Sequence, residues 1–479
     1  MQRRVLRIGL RQSECALPTA RVVSDFATIC LYPPTRANSE DARMRRTLGT
    51  IALFYSSMIL AAILSDHVSG ELPDPPIGSH GFNLTVGDWP WWRGPHRNGV
   101  ADALPPPPLH WSRSENVLWK SEISGRGHSS PTLVGGQIFL TTADDEAQYV
   151  LCFDANSGVR QWREEIHRGG FPPKSNQRSS HASSTIACDG EQLYVNFMQG
   201  GAVFTTALSR AGEQLWQRKI SDYVVHQGYG SSPALYGALV IVTADNKSGG
   251  AIAALDRASG DVVWKHPRPK LPNYPSPIIL SVAGRDQLLM TGCELLSSFD
   301  PGSGEKLWEV AGATTECVTS TVTNGEFIYS SGGYPDNHVA ATRADGTGEL
   351  EWEKPTRVYV PSMLIDGDYL YAVADGGIAI CWDSHTGEEM WKGRLSGNFS
   401  ASPVLVGDRI YATNEEGTTF VYRANADAFE LLASNQLGDE VFATPTICRG
   451  RIYARVAFRD GDERREMLYC LGVSEQVGE

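Results

Sequence analysis

Three features of this 479-residue chain predict an all-β fold, an eight-bladed propeller of four-stranded antiparallel blades. From residue 109 onward a glycine stands four residues before a tryptophan six times, at Gly158/Trp162, Gly212/Trp216, Gly260/Trp264, Gly304/Trp308, Gly348/Trp352 and Gly387/Trp391. These tryptophans recur at intervals of 54, 48, 44, 44 and 39 residues, the range of stacked or radial repeats. Between them lie short runs rich in Val, Ile and Tyr, bounded by glycine, with no helical period.

Each unit reads in the same order. It opens on a small residue, often followed by proline: Ser130, Thr185, Ser232, Ser276, Ser320, Ser362, Ser402 and Thr444. A short apolar run, a glycine turn, an alternating strand such as "YLYAV" and a third run such as "IAICWD" follow. The unit ends on a phrase such as "DRASGDVVW". The carboxylates of Asp154, Asp256, Asp300 and Asp383 suit the hairpin before the last strand, because Asp accepts backbone N–H bonds from the residues after it. The glycine admits positive φ, and the tryptophan buries a large apolar area in the seam between blades. These residues are architectural.

Eight openings give eight blades. The seventh lacks the tryptophan, with Leu431-Leu432 near its place, and the eighth stops at Met467–Gly472 without a fourth strand. Residues Glu115–Ile123 carry Leu118-Trp119, like the "KLW" and "QLW" of other fourth strands, and are expected to complete that blade and hide both edges. The expected organisation is a propeller over 109–473, a lead-in over 71–108 and a tail at 474–479. Met44-Arg45-Arg46 before the uncharged run Leu48–Leu64 makes 44–70 a signal peptide or an N-terminal anchor, and 1–43 an upstream mis-start or disordered leader. An exported, periplasmic or extracellular protein is expected, touching membrane only through residues 48–64 if they are retained.

The formal net charge is −13 even though residues 1–46 hold nine arginines against four acids, so the body is strongly acidic and nucleic acid is excluded as a partner. Nine cysteines, two of them in the leader, include no C-x-x-C, which argues against a thiolate zinc site. Cys152, Cys381 and Cys470 share one repeat position with Ala254 and Ser298, a place for a small buried side chain; Cys448 and Cys470 lie in one unit and could pair.

In a propeller the loops before the innermost strands surround the axis. Here they carry Arg126, His128, Arg178, His181, Tyr229, Tyr274, Glu316, Tyr359, Asn398 and Glu440, a mixed charged and aromatic mouth able to take a small ligand or a peptide. The plainer alternative is that they plug and hydrate the channel, with Arg126 pairing Glu440 across the closing seam. The long loop Gly169–Ser184 adds Lys174 to Arg178 and His181, a grip for an anion or partner or a solvated loop. His128, His181 and His226 fall in consecutive blades, but their unequal offsets from the opening residue argue against a shared metal. The run Arg459–Glu466 reads as a solvated hairpin tip. Nothing assigns a catalytic, cofactor or metal residue.

These repeats resemble the PQQ-like β-propeller repeat, roughly A-x-D-x-x-T-G-x-x-x-W, across about 109–472, and "DWPWWRGPHRNG" is similar to the opening of exported bacterial members. The resemblance implies one of two kinds of protein. Quinoprotein dehydrogenases hold pyrroloquinoline quinone and calcium at the axis; others are non-enzymatic, such as the propeller lipoprotein of the outer-membrane β-barrel assembly machine. The chain lacks the adjacent cysteines, the large insertions and any calcium-loop spacing of the former, and the lipid-bearing cysteine of the latter. A non-enzymatic platform for a protein or peptide of the cell envelope is the preferred expectation, with no cofactor. The alternative is a small quinoprotein oxidoreductase with quinone, calcium and Glu316 or Glu440 as base. A carbohydrate-binding propeller draws on the aromatic mouth alone.

Overall fold

The computed structural model describes residues 75–172, 178–461 and 463–473. The expected leader, signal or anchor segment, the tail and Lys174 lie outside them. The described residues contain no helix and form eight four-stranded antiparallel sheets, one of them with a fifth, two-residue strand added. Each blade is a meander, from a short inner strand such as Thr132–Val134 to an outer strand such as Arg160–Arg168. The eighth blade is closed as expected: Val117–Ile123 pairs antiparallel with Glu463–Leu471, Trp119 opposite Cys470. The Thr446 hydroxyl of that blade donates to the Pro131 carbonyl of the first, at 2.5 Å.

The repeated phrase works across the seams. The Asp154 carboxylate accepts the N–H groups of Asn156 and Ser157, and Asp256, Asp300 and Asp383 do the same two and three residues on. In five blades the indole then reaches the hairpin of the next: Nε1 of Trp119, Trp162, Trp216, Trp352 and Trp391 donates to the carbonyls of Ala155, Arg210, Arg257, Ser384 and Asn425, at 2.7–3.0 Å. Glycine is required where that indole lies: at Gly260, φ is +72° and a Cβ would sit 2.6 Å from Trp216.

The small position has a cause as well. In register, Tyr371, Cys381 and Trp391 form a row across three strands, as do Phe139, Cys152, Trp162 and Tyr453, Cys470, Trp119. A small middle residue lets the indole lean toward the aromatic ring beyond it, at centroid distances of 6.0–6.1 Å. In the seventh blade the tryptophan's register position is held by Ala433, opposite Val421, rather than by Leu431-Leu432. The missing ring comes from outside the repeat: Trp111, 4% exposed, stacks on Tyr411 at 6.3 Å and donates its backbone N–H to the Asn435 side-chain oxygen.

Trp264 and Trp308 depart from this hydrogen-bonding pattern. Both are buried core residues of their seams, 9% and 8% exposed, yet neither indole N–H bonds the next hairpin directly. Trp308 Nε1 donates to Gln287 of its own blade at 2.9 Å, and the Gln287 amide donates onward to the Ala344 carbonyl, so a side chain relays the link. Trp264 Nε1 has no hydrogen-bond partner among the described residues, and its ring packs on Gly304, where a Cβ would sit 2.5 Å away. The rows explain the difference. Beyond Ala254 and Ser298 stand the aliphatic Ile241 and Leu289, whereas each of the five directly bonded indoles leans toward a Tyr or Phe ring. Without that ring the indole's tilt is set by its other neighbours.

Every outer strand carries a β-bulge immediately before the tryptophan position, Val117–Ile123 included. Bulges twist an edge away from flat pairing, which protects eight exposed strands from joining other chains. All seven described cysteines are free and buried. Cys448 and Cys470 do not pair, because Arg451–Asp460 runs between their strands and separates them by two strand spacings.

Residues before each opening residue form the mouth at one end of the axis, and the lead-in crosses the opposite end. Trp89 pairs with Leu133 of the first blade, Pro90 accepts from Cys188 of the second, and Val100–Ala101 adds a parallel strand to Val404–Val406 of the seventh. Arg93 and Arg97, each 2% exposed, donate to the carbonyls of Met363 and Leu235 in the sixth and third. Burial pushes both guanidinium groups down, Arg93 to about 9 and Arg97 to about 10, so both stay protonated at neutral pH.

Candidate functional site: a hydroxyl-ringed axial cavity

The opening residues are small and also hydroxylic, and the hydroxyl does the joining. The N–H groups of Ser130, Thr185, Ser232, Ser320, Ser362 and Ser402 donate to the side-chain oxygens of Thr185, Ser232, Ser276, Ser362, Ser402 and Thr444, each in the next blade, at 2.9–3.0 Å. Six of eight seams are bridged this way. At a seventh, the Ser320 oxygen accepts from Trp92 Nε1 of the lead-in instead, at 2.9 Å. At the closing seam, the buried Ser130 oxygen has no partner among the described residues.

This ring encloses an axial cavity of about 410 Å3. Trp92 lines it from the lead-in side, and His128, Arg178, Tyr274, Arg357, Tyr359, Asp375 and Phe442 line it toward the mouth. Asp375 accepts the Tyr359 N–H at 2.7 Å and lies 4.0 Å from Arg357. Burial nevertheless raises its carboxyl above the usual carboxylate range. Burial also raises the Tyr274 and Tyr359 phenols, with Glu316 adding to both, so the two rings stay neutral. A second, more open cavity of about 570 Å3 adjoins the first, sharing Arg178 and Phe442 and bordered by Arg126, Glu415, Glu416, Asp439, Glu440 and Arg459.

The mouth residues expected from sequence separate into groups. His128, Arg178, Tyr274 and Tyr359 line the axial cavity, His128 resting on the Phe442 ring at 4.6 Å. Arg126 and Glu440 lie 3.7 Å apart beside the second cavity, across the closing seam. Arg464 bonds Glu440 at 2.8 Å and Arg459 bonds it too. Burial would raise the Glu440 carboxyl, but the Arg459 hydrogen bond and the charges of Arg464 and Arg126 hold it below the ordinary range. Glu316 lies beneath the mouth, 5% exposed, 3.1 Å from His226 and 3.4 Å from the Tyr359 hydroxyl. His181 and Tyr229 border a separate pocket of about 20 Å3, His181 stacked on Phe171 and Tyr229 donating to the Thr243 carbonyl. Asn398 is exposed and lines neither large cavity; its carbonyl accepts the Glu415 N–H.

The three histidines are not brought together, and among the described residues no group of three or more His, Cys, Asp or Glu side chains could hold a metal ion. The Arg459–Glu466 run is only partly a solvated tip. Glu466, 2% exposed, takes a hydrogen bond from buried Arg455 at 2.7 Å and pairs with Arg464, because the long last hairpin folds that end beneath the mouth. Sequence reading passed over Trp92, Arg357 and Asp375, which sit outside the offsets counted back from the opening residue. It also passed over the hydroxyls, although all eight opening residues are Ser or Thr.

The geometry can now be set beside known proteins. The outer membrane protein assembly factor BamB of Burkholderia pseudomallei is 25% identical over 362 residues, 69% of this chain and 85% of that protein. A polyvinylalcohol dehydrogenase of Sphingopyxis sp. is 23% identical over 388 residues, 76% of this chain, which spans about half (49%) of that enzyme. Among solved structures, the quinohemoprotein alcohol dehydrogenase of Comamonas testosteroni superposes with a TM-score of 0.58 at 12% identity, over 84% of this chain and 83% of that one, a likeness of fold alone. The family described as outer membrane protein assembly factor BamB matches residues 110–223, 211–393 and 335–430, and the chain, most of whose blades fall in those matches, belongs to that family.

Proposed function

We propose that the protein is a non-catalytic docking platform of the cell envelope, whose mouth and surrounding loops engage a protein or peptide. One observation carries this reading: the two carboxylates placed to act as bases are both spent. Glu440 is held by Arg459, Arg464 and Arg126, and Glu316 by His226 and Tyr359. Glu440, held below the ordinary carboxylate range, is a weak proton acceptor near neutral pH, where a general base works best with a pKa near the operating value. Calcium takes six to eight oxygen ligands. The carboxylates offer that ion little beside a quinone, since Asp375 already serves the Tyr359 N–H and, among the described residues, no three His, Cys, Asp or Glu side chains are grouped to hold a metal. Relatedness to an assembly factor that matches most of its own length supports the platform reading over the dehydrogenase, of which this chain spans half.

The test has two arms. Purified protein incubated with pyrroloquinoline quinone and calcium is expected to reduce no dye with alcohols or sugars; saturable chromophore binding with turnover overturns the proposal. A photo-crosslinking residue at Asn398, on the exposed rim, is expected to form a defined adduct with an envelope protein that the same probe at Val159, on a peripheral hairpin, does not form. Identical adduct patterns at the two sites would sink the mouth as the docking surface.

A further inference from the structure

The hydroxyl ring has a property that the blade contacts do not use. A serine or threonine hydroxyl offers one donor hydrogen as well as acceptor lone pairs. Thr185, Ser232, Ser276, Ser402 and Thr444 all line the axial cavity, and each is at least nine-tenths buried. Each oxygen accepts an N–H from the preceding blade. Among the described residues none of the five donates its own hydrogen to a protein acceptor. A buried donor without an acceptor is destabilising. Five such donors around one cavity therefore favour an occupant rich in acceptor oxygens.

Charge and shape narrow the choice. Two guanidinium groups line the same cavity, Arg178, which also pairs with Glu415 at 3.3 Å on the outer side, and Arg357, 4.0 Å from the lining carboxylate Asp375. Planar guanidinium groups match carboxylates in geometry as well as charge. At about 410 Å3 the cavity holds far more than a bare ion, and Trp92, Phe442, Tyr274 and Val318 supply apolar wall. It continues past Arg178 and Phe442 into the open cavity, where Arg178 holds Glu415 at 3.3 Å, Arg113 holds Asp439 at 3.0 Å and Arg459 and Arg464 hold Glu440, so that among the described residues Glu416 alone of its four lining carboxylates has no ion pair.

We propose that the axial cavity receives the C-terminal carboxylate of an extended peptide, whose preceding residues, a Lys or Arg among them, lie across the shelf at Glu416. This deepens the docking reading and rests on it. The carboxylate accepts from the hydroxyl ring and pairs with Arg178 and Arg357, the last apolar side chain meets the aromatic wall, and the upstream cation meets the shelf. Capture of a terminal carboxylate is an established mode of peptide recognition.

Equilibrium dialysis against a randomised hexapeptide library, in free-acid and C-terminally amidated forms, reads this directly by mass spectrometry. The free-acid library is expected to be retained at least about tenfold over the amide, a discrimination in the range of one charge-assisted hydrogen bond, with an apolar last residue and Lys or Arg upstream. Arg357→Gln, which leaves every ring hydroxyl in place, is expected to bring the free acids toward the amide level while the urea midpoint stays within error. Phenylacetate forms the third arm: displacement of the retained peptides only at far higher concentration is expected. Equal retention of both libraries, retention of neither, or phenylacetate matching the peptides overturns the assignment. An envelope adduct at Asn398 without free-acid enrichment sinks this inference and leaves the docking reading standing.

Discussion

Gly260 is fixed by a neighbour rather than by its own strand. Its positive φ belongs to the hairpin, but the missing side chain belongs to Trp216, which occupies the space a Cβ would need and bonds the carbonyl of Arg257 in the same turn. Gly260→Ala therefore adds backbone strain to a steric clash, and a loss of about 1–3 kcal/mol is expected from urea unfolding. Gly237→Ala, at a hairpin glycine with nothing within 4 Å, tests φ strain alone and is expected to cost less. The Asp-Gly-Trp phrase was legible because each member has a narrow chemical purpose and recurs. What the phrase could not show is where each indole N–H goes: Trp264 and Trp308 keep the spacing but not the bond, because that depends on a ring two strands away. The hydroxyl at the opening position was harder to read. Serine satisfies a demand for small size and a demand for an acceptor equally well, and only the absence of alanine and glycine among eight copies separates the two.

At the scale of the strand, the seventh blade shows a repeat being repaired from outside. Ala433 leaves the ring of Tyr411 uncovered, and Trp111 lies over it from the segment before the first blade. Trp111→Ala is expected to destabilise the protein by about 3–5 kcal/mol, as for other buried tryptophans, and Ala433→Trp in that background is expected not to restore it, since the fourth-strand indole approaches at a different angle. Urea midpoints of the single and double variants decide this. Counting strands found the blade but not its substitute ring, because Trp111 lies at no multiple of the repeat. The mouth suffered the same limit. Offsets counted back from the opening residue placed His128, Tyr274 and Tyr359 at the cavity, while Asn398 turned outward and Arg357 came in from a position the count skipped.

At the scale of the molecule, the ring is closed by the pairing of Val117–Ile123 with Glu463–Leu471 and bound underneath by the lead-in. Replacing Val117–Ile123 by a flexible Gly-Ser segment exposes the strand edge of the eighth blade, and self-association in size-exclusion chromatography is expected, reversed by adding a synthetic peptide of Glu115–Ile123. A monomeric variant with the parental urea midpoint would show that this strand is dispensable.

Because Val117–Ile123 waits for the last hairpin, a ribosome must deliver Leu471 before Val117 finds its mate. Seven modules can assemble vectorially as they emerge, while Val117–Ile123 stays without its partner strand until the last hairpin is made. The nascent chain thus carries one unpaired strand from early in synthesis and pairs it last, and a chaperone acting on this protein has a target there.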